Sequence, residues 1–132
     1  MRTMRALFDT NCWLWWHLEP ERLAETTRAA IADASNELYV SSIVPWEIAI
    51  KHRRGKLSLR RPFDDLVPAM LAATRGVALP VERRHALQVA RLPLHHHDPF
   101  DRMLIAQAQV EGLTILTADP QFRRYEVEVL AA

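Results

Sequence analysis

Cysteine is nearly missing from this chain: Cys12 stands alone among 132 residues. No disulfide can close within it, which fits a reducing compartment. No apolar run approaches the ~20 residues that a membrane-spanning helix needs. No apolar segment of signal-peptide length precedes Asp9. An excess of charge of one sign is missing too. The formal net charge is +1, so a polyanionic partner must be argued from local clusters. Repeats and low-complexity segments are absent. These absences describe a soluble, cytoplasmic protein of one domain, residues 1–132, with no membrane partner.

What is present is ordinary for a folded protein, at 49% hydrophobic and 25% charged residues. Segments at Met4–Phe8, Leu38–Val40, Val77–Leu79, Thr114–Leu116 and Glu126–Leu130 read as strands. Between them, helical spacing covers Trp13–Leu18, Glu21–Ala34, Ile43–Arg54, Phe63–Arg75, Glu82–Arg91 and Phe100–Glu111. Ser41 or Ser42 suits the cap of the third helix, with Pro45 in its first turn. Glycine is rare, and Gly55, Gly76 and Gly112 each follow a helical pattern, where the left-handed C′ position favours glycine. Leu57–Pro68, interrupted by Pro62 and Pro68, reads as a surface excursion overlapping the start of the fourth helix. Strands alternating with helices imply parallel βαβ units and right-handed crossovers. The expected fold is α/β in three layers, a small central parallel sheet flanked by helices.

Four acids fall where such a fold gathers side chains. Asp9 and Asp119 each follow a strand, at the sheet edge where open α/β folds place ligands. Glu47 lies in the apolar stretch Pro45–Ile50, and a glutamate is seldom buried without a partner. Asp101 lies in the first turn of the last helix. Each acid also has a plain structural role open to it. Asp9 suits an Asx turn or N-cap, Asp119 a turn before Pro120, and Glu47 an exposed face or the helix N-terminus. Asp98 before Pro99 suits an N-cap, and its capping role outweighs a metal role. Taken together, clustered carboxylates repel one another unless a hard cation such as Mg²⁺ sits among them. An all-carboxylate metal site points to phosphate-ester chemistry.

Other residues carry weaker signals. Lys51, Arg53, Arg54, Lys56, Arg60 and Arg61 form a basic cluster suited to an RNA backbone or an acidic partner, or else to the solvated C-terminal end of a helix. Arg102 suits a phosphate contact or the balancing of the acids. Three consecutive histidines, His95–His97, cannot easily aim at one ion. Instead one packs, one caps or contacts phosphate, and one is exposed. Cys12, among Trp13, Leu14 and Trp15, reads as a buried thiol. Of Trp13, Trp15, Trp16 and Trp46, some belong to the core and others to an apolar contact patch. A phosphoacceptor receiver domain would need a lysine near Leu113–Tyr125, where only Arg123 and Arg124 stand. An aspartyl-phosphate phosphatase would need an Asp at position 11, which is Asn11.

Asp9-Thr10-Asn11, Trp46–Lys51, Asp98–Arg102 with Leu104–Ala108, and Thr117-Ala118-Asp119 resemble the motifs of PIN-domain ribonucleases. More narrowly, they resemble the toxin subunit of VapBC-type toxin–antitoxin pairs. The resemblance covers nearly the whole chain. It implies a Mg²⁺- or Mn²⁺-dependent endoribonuclease. Asp9, Glu47, Asp101 and Asp119 would be the catalytic and metal-binding acids, and Asn11 and Thr117 supporting residues. RNA would be the substrate and a VapB-type antitoxin the partner, with homodimers and heterotetramers or larger assemblies. A catalytically inactive RNA- or protein-binding module of the same fold is the alternative.

Overall fold

The computed structural model describes residues 3–132. Five strands, β1 (Arg5–Phe8), β2 (Glu37–Ser41), β3 (Val77–Leu79), β4 (Thr114–Thr117) and β5 (Val129–Ala131), form one sheet in the order β3-β2-β1-β4-β5. All neighbours are parallel. Six helices connect them: α1 (Thr10–Leu18), α2 (Glu25–Ala32), α3 (Ile43–Arg53), α4 (Phe63–Thr74), α5 (Arg83–Val89) and α6 (Pro99–Glu111).

Strand alternation divides the interior. Ala6 and Phe8 of β1 and Leu116 of β4 face one core, with Trp13, Ile31, Val44, Ile48 and Met70. Leu7 and Ile115 face the other, with Leu104, Ile105 and Ala108 of α6. A central parallel sheet buried on both faces therefore yields continuous apolar strands such as Ala6-Leu7-Phe8. Cys12 and Trp13 are fully buried, Trp15 and Trp16 half-buried, and Trp46 is 56% exposed. Among the described residues no helix is long and apolar enough to cross a membrane.

Several boundaries differ from the sequence reading. Residues 21–34 are not one helix. Pro20–Arg22 form a 3₁₀ turn, the chain extends at Leu23 to bury that side chain, and α2 then starts at Glu25. Helix α1 begins at Thr10, because Asp9 caps it. The excursion ends at Pro62, and α4 runs through Pro68. Burial of Val67, Met70 and Thr74 on one face outweighs the missing Pro68 amide.

Gly55 and Gly112 do adopt the left-handed conformation, at φ 72° and 69°. After α4 that conformation belongs to Arg75 instead. Gly76 has a different role: a Cβ there would meet the Leu38 carbonyl oxygen at 3.1 Å and Val40 Cγ2 at 3.2 Å. Ser41, not Ser42, serves the start of α3, its Oγ accepting the Ile43 amide at 3.0 Å. Strand β5 is displaced toward the C-terminus, because a tight turn from Tyr125 to Val127 precedes it.

Candidate functional site

Strands β1 and β4 are neighbours, and both deliver an acid at their C-terminal ends. Asp9 is buried and performs two tasks. Its Oδ1 accepts the Cys12 amide at 2.7 Å, which caps α1, and its Oδ2 accepts the Thr117 hydroxyl. Thr117 Oγ1 in turn accepts the Asp119 amide at 3.0 Å. Asp119 Oδ1 accepts the Gln121 amide at 2.9 Å, capping the 3₁₀ turn Pro120–Arg124. Thr117 thus ties the two strand-end acids together. The capping role and a site position are compatible at Asp9, since each uses a different oxygen.

The helix-borne acids approach from the other side. Glu47 is 3% exposed, in the first half of α3. Its Oε1 accepts the Thr10 hydroxyl at 2.6 Å, and its Oε2 accepts Lys51 Nζ at 2.5 Å. Asp98 Oδ1 accepts the amides of Phe100 and Asp101 and so caps α6, as its place before Pro99 suggested. That cap sets the first turn from which Asp101 projects. His96 faces Asp101, Nε2 to Oδ2 at 3.3 Å, while its Nδ1 meets Tyr125 Oη at 2.7 Å. Trp46 and Phe100, each next to an acid in sequence, bridge α3 and α6 with centroids 5.0 Å apart and rings at 81°.

Electrostatics show that these acids share one field. Burial, then the charges of Asp98, Glu47, Asp9 and Asp119, push the Asp101 carboxyl up to about 8. Burial also pushes Asp9 up to about 6; the Thr117 and Cys12 donors oppose that rise, and the charges of Glu47 and Asp119 add to it. Burial lowers Lys51, but the Glu47 contact and the charges of Asp98 and Asp101 reverse this and leave it above its ordinary value. An excess of buried carboxylates over cations, with proton affinity raised to compensate, is the donor chemistry a hard divalent ion fits.

Two expected members stand elsewhere. Arg102 donates to the Pro93 carbonyl at 2.8 Å and to Tyr125 Oη at 3.2 Å, so it braces the 92–93 turn rather than the acids. Asn11 is exposed and lines a cleft of about 590 Å³ beside α1, with Trp15, Leu57, Arg60, Arg61 and Leu66. None of the four acids lines that cleft. Conversely, Thr10 and Lys51 touch Glu47 directly, a role that the residues alone did not suggest for either. The i, i+4 spacing from Glu47 to Lys51 was the available signal. As expected, one histidine packs and one is exposed: His95 lies edge-on against Tyr125 and His97 is exposed, whereas His96 meets Asp101 instead of capping a helix.

A second group lies apart. Glu82, His85 and Glu111 bring one ligand atom each within 4.8 Å of one another, closer than the four acids come to a common point among the described residues. Its chemistry is different. His85 is fully buried, and its Nδ1 accepts the Glu82 amide at 3.0 Å, closing a capping box on α5. The proton therefore sits on Nε2, which donates to Glu111 at 2.8 Å. Arg84 pairs with both acids, with Glu111 at 2.5 Å and Glu82 at 2.9 Å. No lone pair is left on that imidazole for a metal.

Comparison with known proteins decides the family. The model of the PIN domain matches residues 6–128. The chain belongs to the PIN-domain family. Ribonuclease VapC22 of Mycobacterium tuberculosis is 29% identical over 120 residues, covering 91% of both chains. Ribonuclease VapC16 of the same organism is 33% identical over 72 residues, about half of each. Among solved structures, VapBC2 of Rickettsia felis bound to a promoter DNA fragment superposes with a TM-score of 0.73 at 16% identity, over 97% of this chain and 98% of that one. DNA-bound VapBC of Salmonella typhimurium gives 0.71 at 18% identity, over 98% of both. At such identities the structural likeness concerns the PIN fold itself. Family membership and the named ribonucleases together support a nuclease.

Proposed function

We propose that this chain is a divalent-metal-dependent endoribonuclease, the toxin of a toxin–antitoxin pair. The observation that carries this reading is the convergence of charge on Asp101, which feels Asp9, Glu47, Asp98 and Asp119 together. Asp9, Glu47 and Asp101 would hold Mg²⁺ or Mn²⁺, with Asp119 completing the set and Asp98 serving as the cap of α6. Bound there, the ion would activate water at neutral pH and neutralise charge building on the phosphodiester.

The chain's own residues prepare that chemistry. Thr117 fixes the Asp9 carboxylate and the Asp119 backbone in one register. Thr10 fixes the Glu47 carboxylate from a neighbouring element. Asp119, half-buried and held at Oδ1 by the Gln121 amide, is suited to orienting the attacking water. No nucleophilic side chain is required, and Cys12 is unsuited to that role: burial, with the Asp9 charge, raises its thiol far above neutral pH.

An antitoxin of the VapB type is the proposed partner, supported by solved neighbours that are VapBC assemblies. The cleft beside α1, lined by Trp15, Leu57 and Leu66 together with Arg60 and Arg61, suits an acidic amphipathic segment. RNA is the proposed substrate.

The decisive experiment is RNA cleavage with Mg²⁺ or Mn²⁺ by the wild type, Asp9→Asn and Asp101→Asn. Each variant should lose cleavage while keeping its far-ultraviolet circular dichroism. Cleavage at the wild-type rate by both variants would exclude these acids as the catalytic set, and a wild type that cleaves no RNA with either ion would leave the non-catalytic alternative.

A further inference from the structure

Both oxygens of Glu47 are engaged, one by Thr10 and one by Lys51. The two partners are held very differently. Thr10 is buried in the first turn of α1. Lys51 reaches Glu47 along a flexible stem, its side chain 38% exposed against 5% for the glutamate. It lies one turn beyond Glu47 on α3, and the charges of Asp98 and Asp101 reach it as well. The ammonium therefore occupies an oxygen of one of the acids that fit a divalent ion, and its stem lets it leave.

We propose that Lys51 is a resident counter-cation of the acid pocket, a positioning residue that holds Glu47 in the metal-free protein and competes with a divalent ion for Oε2. The assignment rests on the nuclease reading above. A lysine on Oε2 keeps the carboxylate oriented, with its charge compensated. Entry of a divalent ion requires that the oxygen be shared or given up. Thr10 stays on Oε1, so Glu47 keeps its position while Lys51 moves toward solvent. The bland reading is a helix-stabilising i, i+4 pair. On that reading Lys51 would not respond to the ion.

Calorimetric titration with Mn²⁺, without RNA and at fixed ionic strength, separates the two. Lys51→Gln should bind Mn²⁺ about 3- to 10-fold more tightly than wild type, since a like charge beside the ion is removed. Lys51→Arg should stay within about twofold, because the charge is retained. Equal or weaker Mn²⁺ binding by Lys51→Gln overturns the proposal. A measurement on the wild type covers the case in which that variant does not fold. The Lys51 side-chain resonances should move during a Mg²⁺ titration and saturate with it, and unmoved resonances also overturn the proposal. The two hypotheses fail differently. A wild type that takes up neither ion defeats this inference and the nuclease reading together. A wild type that binds Mn²⁺ through Asp101, with Lys51→Gln no tighter, defeats this inference alone.

Discussion

Helix α6 carries an acidic group near each end, and the two groups differ in kind. At its start Asp101 joins Asp9, Glu47, Asp98 and Asp119, with Lys51 as the ammonium in contact. At its end Glu111 joins Glu82, yet one guanidinium, Arg84, pairs with both carboxylates and the His85 N–H donates to Glu111. The second group is the tighter of the two and looks more like a metal site by distance alone. Charge balance reverses that impression. A group whose anions are matched by cations and hydrogen bonds is finished, whereas an unmatched group needs something from outside.

The sharpest way to break this contrast is to remove an acid from each group. Asp101→Asn should lower metal-dependent RNA cleavage by about 100-fold or more, the scale for losing a group that stabilises the transition state. Glu82→Gln should leave cleavage within about twofold of wild type. Equal losses in a cleavage assay would erase the distinction between the groups.

Divalent ions should stabilise through the first group only. At a Mg²⁺ concentration 100 times its dissociation constant, linkage gives about 2.7 kcal/mol and a higher Tm. Asp101→Asn should remove that gain, and Glu82→Gln should keep it.

The pH dependence of the metal-free protein follows from the same site. Folded-state values of about 6 for Asp9 and about 8 for Asp101 lie above those of unfolded aspartates. The native state thus holds protons that the unfolded state has released. The associated stability is complete below about pH 4. It fades as pH rises through about 6 for Asp9 and about 8 for Asp101. A tenfold difference in proton affinity between the two states corresponds to about 1.4 kcal/mol. Chemical denaturation from pH 5 to 9 without metal should show declining stability, with the upper part of the decline missing in Asp101→Asn. Mg²⁺ should flatten the curve, because bound ion favours the ionised acids.

Much of this contrast was legible in the residues, and the illegible part has physical causes. The acids were visible because strand ends and a first helical turn are fixed by local pattern: the run Ala6-Leu7-Phe8 before Asp9, and Asp98-Pro99 before Asp101. The parallel sheet followed from alternating strands and helices. Partners were harder. Lys51 read as a solvated helix end, because sequence alone does not say which face of α3 turns inward. Arg102 read as a companion of Asp101, yet the 92–93 carbonyls and Tyr125 claim its guanidinium through contacts distant in sequence. Gly76 read as a helix stop, and its true constraint is the β2 backbone packed against it.

The finished group should matter for folding instead. His85→Ala removes a fully buried ring that accepts the Glu82 amide and donates to Glu111. Loss of both hydrogen bonds and the packed ring should cost roughly 2–4 kcal/mol in urea unfolding. Mg²⁺ stabilisation should persist in the variant. A variant that keeps its stability but loses the Mg²⁺ effect would mean that His85 belongs to the metal chemistry after all.

Arg102 supplies the finest test, because it lies one residue from Asp101 but is committed to the scaffold. Its guanidinium joins the 92–93 turn to Tyr125 Oη, and Tyr125 also meets His96. Arg102→Ala should therefore cost about 1 kcal/mol, the usual net value of hydrogen bonds of this type. Mn²⁺ affinity should change by less than about twofold, since the arginine supplies no neutralising contact to the acids. A clear gain in Mn²⁺ affinity, of the size expected for Lys51→Gln, would instead mean that the Arg102 charge acts on the pocket at a distance. The boundary between scaffold and site would then lie one residue further along α6 than the hydrogen bonds suggest.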